Sequence, residues 1–302
     1  FPIKLNLWLV QVKSSSVRKL ALPRKTMADF VAKVTLHPKV LFVLVEGRTD
    51  KQFFRNALKA TSSQSFEIYE HNELDFPAEI ARSEGGNRGR LIRFAALARV
   101  PTKTLNLIVI VDRDTDDLVG RNCENEICRY HDHNQIELYA LDRQNVSAIA
   151  NSFATEEIPA AVILELLHDA QLLTSVRVLR DKHVPASQLA KRKQSDWEPE
   201  GRINIREYCK KHASVRKFDN ELEGYIKAIK NRSAETDFRP LVHVDDLIDS
   251  LYFGLKSRSI LRKSISSDHI RSAARTALYL VENAEGQFIH EFANRLADLV
   301  QN

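Results

Sequence analysis

The chain has 302 residues, 43% of them hydrophobic and 28% charged, which is an ordinary composition for a globular protein of one large or two average domains. Three cysteines, an odd number without dense spacing, exclude a disulfide framework and indicate a reducing compartment. No hydrophobic run is long enough to cross a bilayer, so we expect a cytoplasmic protein without a membrane partner.

Residues 1–26 form a basic segment that accounts for the formal net charge of +5. The segment holds six of the 45 basic side chains and no acidic one, which leaves 39 basic against 40 acidic side chains in the rest of the chain. The chain begins with Phe1, and its one methionine is Met27. We therefore interpret residues 1–26 as an extension or leader upstream of the folded domain. A basic arm for nucleic acid and a targeting peptide are the alternatives.

Residues 39–45 and 105–111 are two strongly hydrophobic runs, and each is followed by acidic side chains. Because neither run alternates with polar residues, both predict strands that are buried on both faces of a parallel sheet. Ligand sites in such sheets lie beyond the carboxyl ends of the strands, so both acidic clusters are expected at one edge. The acidic residues are Glu46, Asp50, Asp112, Asp114 and Asp116.

The segments around these two strands complete the predicted N-terminal domain. We predict a helix over residues 51–60 that is capped by Thr49 or Asp50. Hydrophobic patterns also predict a strand over residues 65–69, a helix over 88–100 and, from alternation, a strand over 135–141.

The character of the sequence changes near residue 150, because helical patterns dominate from residue 155 onward. The predicted helices cover residues 158–173, 205–212, 218–229, 244–253 and 268–302. The expected fold is therefore an α/β domain over residues 27–150, with a mostly parallel sheet flanked by helices, followed by a mostly α-helical domain over residues 151–302.

The closely spaced acidic side chains indicate a metal site. Carboxylates gathered this closely repel one another, and hard divalent cations are the usual remedy. A calcium-binding EF-hand is excluded, because Asp117 and Cys123 occupy the loop positions that require glycine and glutamate. We therefore predict a site for Mg²⁺ or Mn²⁺ with Asp112 and Asp114 as ligands and Asp116 as an outer ligand.

Residues 38–145 resemble the Toprim fold of topoisomerases, primases and several nucleases. The family pattern is a strand that ends in Glu-Gly and a later strand that ends in Asp-x-Asp, often with a third Asp two residues on. It is matched by Val45-Glu46-Gly47 and by Asp112-x-Asp114-x-Asp116. Asp50 is similar to an acidic residue of the nuclease branches, and Glu137 resembles the glutamate of their Glu-x-Tyr element. The resemblance implies a metal-dependent nuclease with Glu46, Asp50, Asp112 and Asp114 as catalytic residues and with these four, Asp116 and Glu137 as metal ligands.

In size and layout the chain also resembles the stand-alone Toprim effectors encoded beside an ABC-type ATPase in bacterial antiphage systems, some of which act on tRNA. The resemblance implies an RNA substrate such as tRNA and an ATPase partner. We also consider a homodimer. The alternatives are a DNA endonuclease of the same fold and a partner-docking module without activity of its own. A phosphatase for small phosphoesters is disfavoured, because Asp116 stands where the haloacid dehalogenase-like pattern has Thr or Val.

Two basic stretches are candidates for contacts with nucleic acid. Residues 85–90 open a predicted helix, where backbone N–H groups and the side chains of Arg88 and Arg90 can hold phosphate; a flexible turn is the alternative. Residues 177–217 carry twelve basic and five acidic side chains, which predicts either phosphate contacts or a solvated basic face. The candidate residues in this segment are Lys191, Arg192, Lys193 and Arg202 for phosphate, and Trp197 and Tyr208 for stacking on bases.

A group of cysteine and histidine residues follows the second acidic cluster. Cys123, Cys128, His131 and His133 raise the question of a zinc site, but their spacing differs from that of common zinc-binding motifs. We therefore expect reduced cysteines in a loop, with zinc as the alternative.

Overall fold

The computed structural model describes residues 24–61, 65–83, 86–98, 106–116, 121–183, 191–211, 219–232 and 238–279. The strands in these ranges are β1 (Lys25–Thr26), β2 (Leu41–Val45), β3 (Phe66–Glu70), β4 (Leu74–Asp75), β5 (Leu107–Val111) and β6 (Cys128–Tyr130). The helices are α1 (Met27–Leu36), α2 (Arg48–Thr61), α3 (Ala78–Ala81), α4 (Gly86–Leu97), α5 (Arg143–Phe153), α6 (Ala160–His183), α7 (Ile205–Lys210), α8 (Asp219–Arg232), α9 (Val244–Ser257) and α10 (Ser267–Tyr279).

A four-stranded parallel sheet with the order β3-β2-β5-β6 lies at the centre of the N-terminal part. Every side chain of β2 and β5 is buried, as their uninterrupted hydrophobic sequences predict. Phe42 lies beside Leu107 and Leu44 lies beside Val109, so the two strands end at the same edge of the sheet. The predicted α/β class is therefore confirmed.

Alternate side chains of the sheet pack into two hydrophobic layers. Leu41, Val43 and Val45 belong to the layer that includes α2 and α10, whereas Phe42 and Leu44 belong to the layer that includes α1 and α4. Burial of one such side chain contributes about 1.5–3 kcal/mol to stability. Because α10 packs in the first layer, a helix from the C-terminal part covers one face of the N-terminal sheet.

The C-terminal part is mostly helical, as predicted. α6 continues to His183 instead of ending at residue 173, because Val176 and Leu179 extend its buried face. The predicted residues 280–302 of the last helix lie outside the described ranges. None of the described helices combines the length and the hydropathy that a membrane span requires.

The two parts of the chain share one hydrophobic cluster. This cluster joins Leu138 and Val146 to Leu247 and Ile270, which belong to α9 and α10. The boundary that we predicted near residue 150 falls inside α5. The sheet and the C-terminal helices therefore pack directly against each other.

The strand predicted over residues 135–141 is wrong. Residues Ile136–Tyr139 form a 3-10 helix, and the edge strand of the sheet is β6 instead. Ile136 and Tyr139 are three residues apart, so they lie on one side of the 3-10 turn and enter the same hydrophobic layer as α2. Tyr139 stacks on Phe53 with 4.9 Å between the ring centroids. This packing overrides the alternating pattern.

Lys25 and Thr26 belong to the folded domain, although we predicted an extension up to residue 26. β1 pairs in parallel with β4, and the Lys25 ammonium donates a hydrogen bond of 3.0 Å to the Tyr69 hydroxyl. The Thr26 hydroxyl caps α1, because its oxygen accepts from the Asp29 backbone N–H at 3.1 Å. Residues 1–23 lie outside the described ranges.

We predict that Thr26→Ala lowers the free energy of unfolding by about 1 kcal/mol, because it removes this cap. The matched control is Thr35→Ala in the same helix, where the hydroxyl only donates to the Val31 carbonyl and alanine has the better helix propensity. Urea denaturation of both variants measures the difference. Equal stability of the two variants would contradict the capping role, as would a deletion through residue 26 that is no less stable than a deletion through residue 23.

Candidate functional site

Acidic side chains follow β2 and β5 at the carboxyl edge of the sheet, as predicted. Glu46 comes directly after β2, and Asp112 comes directly after β5. The Asp112 backbone N–H donates a hydrogen bond of 2.9 Å to Oε1 of Glu46. This bond joins the two acidic clusters to each other.

Asp50 lies in the first turn of α2, beside Glu46. The helix begins at Arg48, so the prediction that Thr49 or Asp50 precedes it as a cap is wrong by a few residues. Asp50 instead accepts a hydrogen bond of 2.7 Å from the Gly47 backbone N–H through its Oδ2 atom. A carboxylate in this position also interacts favourably with the helix dipole.

Asp114 lies at the tip of the turn that follows β5. Its φ of 50° is in the left-handed region, which aspartate tolerates better than most residues, and its backbone N–H donates to the Asn134 carbonyl at 2.8 Å. The side chain is 37% exposed, so a ligand can reach it from solvent. Its carboxylate oxygens lie 3.8 Å from Nε of Arg88 and 3.7 Å from Nε2 of His243.

The four carboxylates of Glu46, Asp50, Asp112 and Asp114 share one electrostatic environment. Burial, and then the charge of Asp112, raise the pKa of Glu46 and of Asp50 well above the ordinary range. Burial, and then Asp114 and Glu137, raise the pKa of Asp112 in the same way. Burial also raises the pKa of Asp114, although Arg88 opposes this. Four full negative charges at this edge are therefore unfavourable without a compensating cation.

Glu137 lies near this cluster, as its effect on Asp50 and Asp112 shows. Its carboxylate is in the 3-10 helix that replaces the predicted strand, and its Oε1 atom lies 3.4 Å from Nε of Arg275. Glu137 is therefore close to the four carboxylates but has a cationic neighbour of its own.

Asp116 is placed differently from the other carboxylates. It is buried, forms an ion pair with Arg88, and accepts a hydrogen bond of 2.6 Å from the Tyr130 hydroxyl. Arg88 also donates from Nε to the Asp112 carbonyl at 2.8 Å. Asp116, which we predicted as an outer metal ligand, and Arg88, which we predicted to bind phosphate, thus satisfy each other inside the protein. Arg90, the other predicted phosphate contact, donates from Nε to the Ala81 carbonyl at 3.0 Å.

The four-carboxylate cluster offers oxygen donors, which Mg²⁺ and Mn²⁺ prefer. The pKa values of these carboxyl groups are raised because burial disfavours their charged forms and their negative charges repel one another, and a bound cation would compensate this repulsion. Within the described residues, however, no three His, Cys, Asp or Glu side chains stand in an arrangement that could hold a metal ion without movement. The chemistry of the residues fits a hard cation, whereas their side-chain positions would have to adjust to bind it.

His131, which the sequence suggested only as a possible zinc ligand, contacts the carboxylate cluster instead. It follows β6 directly, is buried, and places Nε2 2.8 Å from Oδ1 of Asp112. Burial lowers the pKa of His131 to about 4, so the ring is neutral at pH 7. Its position after a strand at the carboxyl edge is the signal that could have identified it, but we had assigned the edge strand to residues 135–141.

His243 is a second histidine next to the carboxylate cluster, and it comes from the C-terminal helices. It caps the N-terminus of α9, where its Nδ1 atom accepts from the Asp245 backbone N–H at 3.2 Å. The Nε2 atom therefore carries the proton of the neutral ring and faces Asp114. Burial, followed by the charge of Arg177, lowers the pKa of His243 to about 4. Nothing near His243 in the sequence indicates this role.

Arg192, one of the predicted phosphate contacts, lies in a buried ion network. Its guanidinium pairs with Asp246 and, at 2.6 Å, with Asp249, while Arg177 pairs with Asp246 at 2.9 Å. Burial raises the pKa of Asp246, but Arg177 and then Arg192 outweigh it and hold that pKa well below the ordinary range. The charge of Arg192 is therefore neutralised by carboxylates inside the protein.

Arg202 is also compensated internally, because it pairs with the fully buried Asp169 at 2.9 Å. Trp197 stacks on Phe253 with 4.8 Å between the ring centroids, and Tyr208 is completely buried. Both rings belong to a hydrophobic cluster, so they are not placed to stack on bases.

Lys191 and Lys193 are exposed, and neither forms an ion pair with a described residue. Other basic side chains of the segment pair with carboxylates, for example Lys182 with Glu221 and Arg206 with Glu223. The excess positive charge of the sequence is therefore largely balanced by acidic side chains of neighbouring elements. Residues 184–190 and 212–218 of this segment lie outside the described ranges.

We predict that Asp50→Asn stabilises the metal-free protein at pH 7 by on the order of 1 kcal/mol, because asparagine keeps an oxygen for the Gly47 N–H without the unfavourable charge. A carboxyl whose pKa is raised in the folded state binds more protons there than in the unfolded state. Its contribution to stability is therefore present below about pH 4 and is lost as the pH rises through the folded pKa.

Urea denaturation between pH 4 and pH 8 measures this effect, and the gain from Asp50→Asn should shrink at the acidic end. Asp142→Asn is the matched control, since Asp142 is an exposed N-cap of α5 and asparagine caps equally well. A variant Asp50→Asn that is less stable than the native protein at pH 7 would contradict the electrostatic description.

No protein-family model and no curated protein sequence matches the chain.

Proposed function

We propose that the protein is a metal-dependent phosphodiesterase that acts on nucleic acid, as the Toprim-like sequence pattern implies. One observation carries the proposal: Glu46 and Asp112 follow two adjacent parallel strands and are joined by a hydrogen bond, with Asp50 and Asp114 close to them. Glu46, Asp112 and Asp114 are the residues that would hold the ion, with Asp50 and Glu137 nearby. A bound divalent cation supplies an activated water molecule and stabilises charge on the scissile phosphate.

The protein's own groups orient these carboxylates. The Asp112 backbone N–H positions Glu46, and the Gly47 backbone N–H positions Asp50. His131 contacts Asp112 through Nε2, which restricts the rotation of that carboxylate. Such hydrogen bonds orient the ligand side chains, although the side chains would still have to adjust to bind a metal ion.

His243 would contribute a substrate contact next to Asp114. Its Nε2 atom holds a proton that faces Asp114 at 3.7 Å, and its backbone N–H is held by the Thr174 hydroxyl at 2.9 Å. A neutral imidazole in this place can donate a hydrogen bond to a phosphate oxygen next to Asp114. The C-terminal helices would thereby contribute a substrate contact to a site built mainly by the sheet.

We predict that Glu46→Gln and Asp112→Asn each reduce cleavage by about 100-fold or more, because each removes a charge from the metal-binding cluster. Both substitutions keep the shape of the side chain, so the fold is retained. Purified protein with Mg²⁺ or Mn²⁺ is incubated with tRNA, duplex DNA, single-stranded DNA and p-nitrophenyl phosphate, and the panel also separates the substrate classes.

The control for these variants is Glu79→Gln, because Glu79 is exposed in α3 and outside the cluster. Native-like cleavage by Glu46→Gln or Asp112→Asn, with the same dependence on metal, would exclude the proposed site. Cleavage of p-nitrophenyl phosphate alone would favour a phosphatase over a nuclease.

We also predict that the double variant Lys191→Gln/Lys193→Gln weakens nucleic-acid binding without loss of stability. If each lysine makes one phosphate contact, the slope of log K against log salt becomes shallower by about 0.7 to 0.9 per contact. Binding titrations at several salt concentrations measure the slope. An unchanged slope would show that these lysines form only a solvated surface.

Arg192→Gln is the informative comparison, because its charge is buried against Asp246 and Asp249. Removing one partner of a buried ion pair typically destabilises a protein by about 3–5 kcal/mol. Arg192→Gln should therefore lower the melting temperature, whereas the lysine variants should not.

A further inference from the structure

Cys123, in the loop before β6, faces Cys128, which is the first residue of β6. Their sulfur atoms are 3.8 Å apart, whereas a disulfide bond measures about 2.05 Å, so a small movement of one side chain would join them. The loop between them is already closed by Asn125, whose side-chain oxygen accepts from the backbone N–H groups of Ile127 and Cys128 at 2.9 and 2.8 Å.

The two thiols differ in exposure and in acidity. Cys123 is partly exposed between exposed neighbours, whereas Cys128 is completely buried. The hydrogen bond from Cys128, and then the contact with Tyr130, lower the pKa of Cys123 to about 7. The same hydrogen bond and burial raise the pKa of Cys128. An accessible, acidic thiol beside a buried one is the arrangement of an attacking and a resolving cysteine.

We propose that Cys123 and Cys128 form a reversible redox pair, which an oxidant such as hydrogen peroxide converts into a disulfide. The Cys123 thiolate attacks one peroxide oxygen, the O–O bond breaks, and the released hydroxide takes a proton to become water. The Cys128 sulfur then attacks the resulting sulfenic acid, and its proton leaves with the displaced hydroxide as a second water. Two thiols and one peroxide thus give one disulfide and two waters, and a small thiol such as glutathione reverses the reaction.

The surroundings favour this use of the pair over zinc binding. Structural zinc requires four ligands, and among the described residues no third His, Cys, Asp or Glu joins the two sulfurs in a metal-binding arrangement. His131, the nearest candidate in the sequence motif, is bound to Asp112 instead. The zinc alternative raised by the spacing of these residues is therefore not supported by the described part of the chain.

The pair is connected to the acidic turn by Tyr130. The Cys123 backbone N–H donates to the Tyr130 hydroxyl at 3.1 Å, and that hydroxyl donates to Asp116 at 2.6 Å. Asp116 in turn pairs with Arg88, which lies over the Tyr130 ring at 6.0 Å. Tyr130 therefore links the Cys123 backbone to the turn that carries Asp114 and Asp116.

Counting thiols tests the proposal without reference to any activity. The full-length protein is treated with hydrogen peroxide, denatured, alkylated and weighed by mass spectrometry. We expect two of the three cysteines to escape alkylation, the peptide mass to fall by about 2 Da, and dithiothreitol to restore both thiols. Cys123→Ser and Cys128→Ser should each abolish the disulfide. The matched control, Cys209→Ser, should retain it, because Cys209 is buried among the C-terminal helices.

A second measurement tests the acidity of Cys123. The rate of its alkylation by iodoacetamide should be half-maximal near pH 7 in the native protein, and Cys128→Ala should move this midpoint upward towards about 8.5. Oxygen adducts on Cys123 without a disulfide would overturn the proposal, whereas a midpoint near about 8.5 in the native protein would contradict the acidity of Cys123 alone.

Discussion

The mutual repulsion of four carboxylates at one edge of the sheet is the constraint around which the neighbouring structure is arranged. Placing this much negative charge in a half-buried site is unfavourable, and water alone does not compensate for it. Two backbone N–H groups, those of Gly47 and Asp112, point at carboxylate oxygens, and His131 contacts a third. These donors orient the carboxylates but do not remove the repulsion among them, which an external cation can relieve.

The C-terminal helices support the other side of this edge. The Thr115 hydroxyl donates to Asp181 of α6 at 2.6 Å, which attaches the turn after β5 to that helix. His243 reaches Asp114 from α9, and the network behind it runs through Thr174 to Asp246 and its two arginines. Removing one member of a buried ion network such as this one leaves an uncompensated charge and strongly destabilises the protein. The orientation of α9, and so of His243, thus depends on charges that are largely buried.

The sequence predicted the parts of the protein that depend on short stretches of chain. Hydrophobic runs without alternation identify β2 and β5, and the rule that parallel strands end together brings Glu46 to Asp112. His131 could not be placed, because the edge strand β6 has only three residues and a more regular alternating pattern follows it. His243 could not be placed, because its position depends on tertiary packing alone.

The charges of the basic segment (residues 177–217) also could not be interpreted from the sequence alone. A count of local charges cannot include partners from distant elements, and the acids that compensate Arg192 and Arg202 lie in α9 and α6. Of the four predicted contacts in this segment, only Lys191 and Lys193 remain at the surface without a described ion pair.

The packing of α10 on the sheet has a consequence for synthesis of the protein. A ribosome makes β2, β3 and β5 well before it makes residues 267–279, so the face formed by Leu41, Val43 and Val45 lacks part of its cover while the chain is still growing. Exposed apolar strands of this kind are substrates for chaperones and are prone to aggregate. A nascent chain that ends before residue 243 would carry the acidic edge of the sheet but neither α10 nor His243, so His243 reaches Asp114 only after translation has passed it.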